Sequence, residues 1–151
     1  MRSFAAAVLL CLASVTTSNA ALAATPAQER QFVETYKKAF EGKDEKTLVG
    51  LLYTKGADPQ ALEFYKMMMT GDMSGKISSI QLLDLTADDK TRVQQMKGPD
   101  GKAAKLVLPP AKKLVIKSEK KDKNGSSSSS SEVYVAEFEG RLYIPVPAAA
   151  K

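Results

Sequence analysis

The chain has 151 residues, 44% of them hydrophobic, and its 22 basic against 17 acidic side chains give a formal net charge of +5. It has no histidine and one cysteine, which excludes Ser-His-Asp and Cys-His catalysis, histidine-ligated zinc, iron or copper, and any intrachain disulfide. Proton transfer would fall to Asp, Glu, Lys or Tyr, and any metal would be a hard cation on oxygen ligands; neither a metal nor a cofactor is expected.

Met1 to about Ala23 reads as a cleaved export signal. Arg2 is the basic n-region, Phe4–Val15 is an apolar run, and small residues follow at two competing cleavage sites, Ser18-Asn19-Ala20 and Ala21-Leu22-Ala23. The second matches the A-x-A pattern directly. The apolar run is about 12 residues, whereas a bilayer core needs about 20, so no transmembrane segment is expected in the mature chain. Cys11 lies within this run, behind Leu9 and Leu10 rather than the small residues a lipid-bearing cysteine would want, and its removal leaves a cysteine-free product. Loss of Arg2 lowers the net charge to +4, which is too mild and dispersed to argue nucleic-acid binding. The expected product is a periplasmic or secreted single domain over residues 24–147 with a short tail, 148–151.

Thr25-Pro26-Ala27-Gln28 predicts a helix start, with Thr25 as N-cap, Pro26 at N1 and Gln28 completing a capping box. Phe32, Val33, Tyr36, Ala39 and Phe40 form one apolar stripe along a helix running to Glu41, which Gly42 ends. Asp44 caps a second helix reaching about Tyr53, with Leu48, Leu51 and Leu52 facing the core. Asp58-Pro59 starts a third, whose apolar face is marked by Leu62, Tyr65, Met68 and Met69, and Gly71 and Gly75 bracket its end.

From Lys76 onward, alternating and β-branched segments predict strands at 76–85, 91–97, 102–108, 112–119, 132–139 and 141–146. Asp88-Asp89 and Gly98-Pro99-Asp100-Gly101 read as hairpin turns, and Pro109-Pro110 interrupts the sheet. Residues 120–131, with Asn124-Gly125 and six consecutive serines, read as a flexible surface hairpin loop. Helices first and strands afterwards predict an α+β fold, with three N-terminal helices packed on a mainly antiparallel sheet.

Tyr36-x-x-Ala39-Phe40-x-Gly42-Lys43-Asp44 with Leu48 and Leu51, and the terminal Glu139-Gly140 with Tyr143-Ile144, resemble the first helix, turn, second helix and closing hairpin of the NTF2-like superfamily. The resemblance spans about Pro26 to Val146 and implies helices closing over a curved sheet to make a cone. Cystatin-like folds share this plan. The superfamily holds isomerases and dehydratases as well as noncatalytic domains, so the resemblance implies a shape rather than a reaction.

Three candidate sites follow. Tyr36, Phe40, Tyr65, Met68 and Met69 would line the mouth of the cone and accept an apolar or aromatic ligand, although a stripe at helical spacing is also what ordinary core packing produces. Asp84, between Leu83 and Leu85, could act as a base near Tyr36 or Tyr65, against the simpler expectation of a solvent-facing strand end. Lys112, Lys113, Lys117, Lys120, Lys121 and Lys123 could touch an anionic surface, against the simpler role of lysines that keep a hairpin edge from pairing. The expected function is a noncatalytic module binding a small ligand or a protein, with a homodimer as one form of the latter. The alternatives are an NTF2-like lyase or isomerase using Asp and Tyr, and an envelope-associated protein using its basic hairpin.

Overall fold

The computed structural model describes residues 23–98 and 100–149, so all of the predicted export signal before Ala23 lies outside the described residues, as does Pro99 of the second predicted turn. The fold is α+β: four helices against a mixed five-stranded sheet. In chain order these are α1 (Pro26–Glu41), α2 (Glu45–Gly50), β1 (Leu52–Tyr53), α3 (Pro59–Thr70), β2 (Lys76–Asp84), α4 (Ala87–Gln94), β3 (Lys112–Asp122), β4 (Gly125–Phe138) and β5 (Arg141–Pro145). Among the described residues no helix is long and apolar enough to cross a membrane.

The first three helices start where their capping residues place them. The Thr25 hydroxyl accepts from the Gln28 amide while the Gln28 side chain accepts from the Thr25 amide, and the Asp44 and Asp58 carboxylates accept from Thr47 and Ala61. Gly42 remains right-handed at the end of α1, and the positive φ of 55° falls on Lys43 instead. The second helix stops at Gly50, not near Tyr53, because Leu52 and Tyr53 leave it to pair in parallel with Ile144 and Pro145.

The sheet order is β1-β5-β4-β3-β2. All pairings are antiparallel except β1 with β5. A register shift between Ile77 and Ser79 inserts one residue into β2, and the Ser78 hydroxyl donates to the Lys117 carbonyl at 3.2 Å. Because side chains alternate with period two, the extra residue lets Ile77 before it and Ile80 and Leu82 after it face the same side.

That side carries Leu114 and Ile116 of β3, Val133 and Val135 of β4, and Leu142 and Ile144 of β5. Helix α1 contacts both β2 and β5 and delivers Phe32, Tyr36 and Ala39 to the same core, joined by Leu48, Ala61 and Met69. Leu48, Leu114 and Ile144 are fully buried, each contributing about 1.5–3 kcal/mol relative to an exposed side chain.

Four predicted elements differ. Thr91–Lys97 is not a strand, nor Asp88-Asp89 a hairpin turn. Thr86 and Asp89 form a capping box that starts α4 across both segments. Lys102–Leu108 forms only the isolated bridges Lys97↔Ala103 and Leu106↔Pro147, whose partners belong to two different segments, so neither bridge extends into a ladder. The segment read as a loop at 120–131 is instead a paired ladder: Ser126–Ser131 align with Lys121–Ile116, and the hairpin closes at Asp122↔Gly125, with Gly125 at φ 141°. Backbone hydrogen bonds to β3 suffice for this pairing, so serine needs no apolar partner to extend the strand.

Candidate functional site

Helix α3 is apolar on two sides. Ala61 and Met69 point into the core and Tyr65 is half-buried, while Phe64, Met67 and Met68 are exposed at 48%, 61% and 49%. Residues 64, 67 and 68 follow the i, i+3, i+4 spacing that puts them on one stripe, and large apolar side chains gathered on a surface mark a contact site more often than isolated ones do.

Beside that stripe lies an apolar groove of about 330 Å³, walled by Ala61, Phe64, Tyr65, Met96 and Pro147 with Lys97 and Gly98 at its rim. A wider hollow of about 530 Å³ shares Ala61, Gly98 and Pro147 with it and adds the polar Asp58, Gln60, Asp100 and Lys102. Backbone bonds fix all three walls. The Asp58 amide donates to the Pro147 carbonyl at 2.9 Å, tying the start of α3 to the chain end. Ala104 donates to Met96 at 2.9 Å and Gly98 to Lys102 at 2.8 Å, folding the segment after α4 into a tight turn in which Gly101 takes φ 77°. Phe64 and Tyr65 meet edge to face with ring centroids 6.4 Å apart. Burial, and secondarily Tyr134, raises the Tyr65 phenol above its usual pKa, so it offers the groove a neutral hydroxyl.

The residues predicted to line a cone mouth do not share one open surface. Tyr36 stacks on Phe40 at 6.5 Å and is buried with Met69 in the packed interior, and burial pushes its phenol up to about 12. Met68 faces outward, since only one of the three consecutive methionines, Met69, has the phase to reach the core. Asp84 is not a buried base near Tyr36 or Tyr65. Its side chain is 91% exposed at the end of β2 and lies 2.9 Å from Lys112 Nζ, which also reaches Glu29 at 3.0 Å. Those two carboxylates, Asp84 first, raise the pKa of Lys112.

The six lysines do not form one patch either. Alternation along β3 sends Lys112 and Lys120 to the core side of the sheet and Lys113, Lys117 and Lys121 to the other, with Lys123 in the turn. Lys112 is held as above, Lys113 lies 2.9 Å from Asp89 and 3.3 Å from Glu132, and Lys120 lies 3.7 Å from Asp72. Lys117, Lys121 and Lys123 are exposed. Neutralisation by acids on other elements is invisible in a lysine count.

Asp89 is the buried charged residue of the described fold, 2% exposed. The Thr86 amide, the Lys113 ammonium and the Thr86 hydroxyl, in that order, hold its carboxyl down to about 2. The Tyr134 hydroxyl donates to its carbonyl at 3.5 Å. Every one of these contacts serves the start of α4 and its attachment to the sheet. Among the described residues no three His, Cys, Asp or Glu side chains converge as a metal site.

The groove was not among the sites read from the sequence. Its signal was present in Phe64-Tyr65 and Met67-Met68-Met69, a helix too apolar for a single buried face, but Met96 and Pro147 come from distant segments that only the fold brings together. No family model, curated protein or solved structure matches this chain.

Proposed function

We propose that this protein is an exported, noncatalytic binding module, built on an NTF2-like plan, that receives an apolar group in the groove beside α3. The observation that carries this reading is the exposed Phe64, which lies on one helical stripe with the exposed Met67 and Met68 and also walls a groove together with Tyr65, Met96 and Pro147. An aromatic side with flexible thioethers suits ligands or partner side chains of variable shape. The export signal read from the sequence supports a role outside the cytoplasm, and three helices ahead of the four longer strands, with α1 contacting both β2 and β5, support the NTF2-like plan.

A binding role is favoured over a lyase or isomerase because Tyr36 and Met69 are packed in the core cluster and Asp84, the acid such chemistry would use, stands in solvent beside Lys112. The basic hairpin is a weaker alternative, since three of its six lysines already face carboxylates.

The test is titration of the purified protein with the apolar fluorophore 8-anilinonaphthalene-1-sulfonate, alongside the double variant Phe64→Ser/Met68→Ser. Saturable binding by the native chain, weakened at least tenfold in the variant with unchanged circular dichroism, is expected. Equal binding by both proteins, or none by the native chain, sinks the reading.

A further inference from the structure

The amide nitrogen of Ala24 lies 3.0 Å from Glu137 Oε2, a contact between residues 113 positions apart that joins the start of α1 to the end of β4. Glu137 is half-buried on the core side of the sheet, opposite Leu142. A carboxylate taken partly out of water calls for a cation or several hydrogen bonds. Among the described residues no Lys or Arg side chain pairs with it.

The surroundings are built rather than incidental. Ala24 packs against the core, the Gln28 side chain donates to the Gly140 carbonyl, and Gly140 adopts φ 72° in the turn that follows β4. The positive end of the α1 dipole lies at this same end of the helix and favours the ionised form of Glu137. Glu137 thus presents a negative charge to the Ala24 nitrogen, yet an internal peptide N–H carries no positive charge to match it.

We propose that the chain is hydrolysed between Ala23 and Ala24 and that Glu137 is the receptor for the α-ammonium group so formed. A signal-peptidase-type protease adds one water across that peptide bond. The carbonyl carbon of Ala23 gains the hydroxyl oxygen and leaves as a carboxylate on the leader. The nitrogen of Ala24 gains the protons and becomes an ammonium, already in hydrogen-bond contact with Glu137. An amide-to-carboxylate bond thereby becomes a charge-assisted one, which is shorter and about twice as strong.

The proposal separates the two cleavage patterns in the sequence. A cut after Ala20 would leave Ala21-Leu22-Ala23 ahead of Ala24, placing the ammonium up to about 10 Å away along an extended chain and leaving Glu137 with an uncharged donor. It also makes leader removal a stabilising event: the precursor lacks an ion pair that the processed chain has. The proposal stands independently of the groove beside α3.

Two measurements on the exported product of the full-length chain test it. Intact mass and N-terminal sequencing should show a chain beginning at Ala24; a product beginning at Ala21 or Met1 overturns the proposal. Reductive methylation with ¹³C-formaldehyde then lets the α-amine be titrated by NMR. Its pKa should lie about 1 unit or more above the ordinary 7.7–8.0, because an adjacent carboxylate favours the charged form, and Glu137→Gln should return it to that range. An ordinary value in the native product is fatal by itself, whether or not the variant folds.

Discussion

Lys113 Nζ lies 2.9 Å from Asp89 Oδ1, joining the outward side of β3 to the first turn of α4. The same carboxylate accepts from the Thr86 amide and hydroxyl at 3.0 and 2.8 Å, so one buried acid serves both as helix cap and as sheet anchor. Its pKa of about 2 lies below the usual value near 3.9. A depressed carboxylate stabilises the fold fully above its unfolded pKa, and that contribution is lost as pH falls from about 4 through about 2. Asp89→Asn should therefore lower the melting temperature at pH 7 and flatten its dependence on pH between about 4 and 2. Thermal melts of both proteins across that range provide the check, and parallel curves would rule out the linkage.

Tyr36 carries the opposite sign. Burial raises its phenol to about 12, so its contribution is complete below its ordinary pKa near 10 and disappears as pH rises through 12. In an ultraviolet titration its ionisation should be delayed beyond that of exposed tyrosines and should coincide with alkaline unfolding. Tyr36→Phe should remove the late step.

The two sides of α3 and its neighbours should respond differently to truncation. Leu48→Ala empties a fully buried site and should cost about 2–5 kcal/mol in denaturant unfolding. Met68→Ala, at an exposed position, should change stability by less than about 0.5 kcal/mol. A large loss at Met68 would mean that its side chain is covered by something other than solvent.

The hairpin of β3 and β4 should show graded protection along its length. The ladder from β4 to β5 reaches only Ala136–Phe138, and Ser126–Ser131 pair with β3 alone. Their side chains are exposed, apart from contacts such as the Ser118–Ser129 hydroxyl pair at 2.8 Å. Amide exchange should be fastest in the serine tract and slowest around Val135 and Ala136, which are fully buried. Uniform protection across β4 would contradict this.

Capping chemistry made the first three helices legible: Thr25, Asp44 and Asp58 act through local bonds that sequence neighbours determine. The same chemistry at Thr86 and Asp89 is less legible, because two adjacent aspartates also suit a turn and the following Thr91–Lys97 lacks a strong period. The serine tract failed for the complementary reason. Composition reports what a segment can bury, whereas a ladder is closed by backbone groups that every serine possesses. Tyr36 and Met69 were read correctly as apolar-face residues, but whether that face encloses space depends on Leu114, Ile144 and the rest of the opposing wall. The groove was least legible, since its walls come from residues 61–65, 96–98 and 147.

The two-residue strand β1 has a consequence for the timing of folding. Leu52 and Tyr53 find their partners only at Ile144 and Pro145, and the chain just beyond repeats the closure: Asp58 bonds to Pro147 and Ala149 to Gly56. Residues 52–58 are thus clasped by residues 144–149. Contacts so distant along the chain form late and slowly, and residues 144–149 must have left the ribosome before they can form at all. Until then β1 has no sheet partner, the condition in which a polypeptide can still be threaded through a narrow passage.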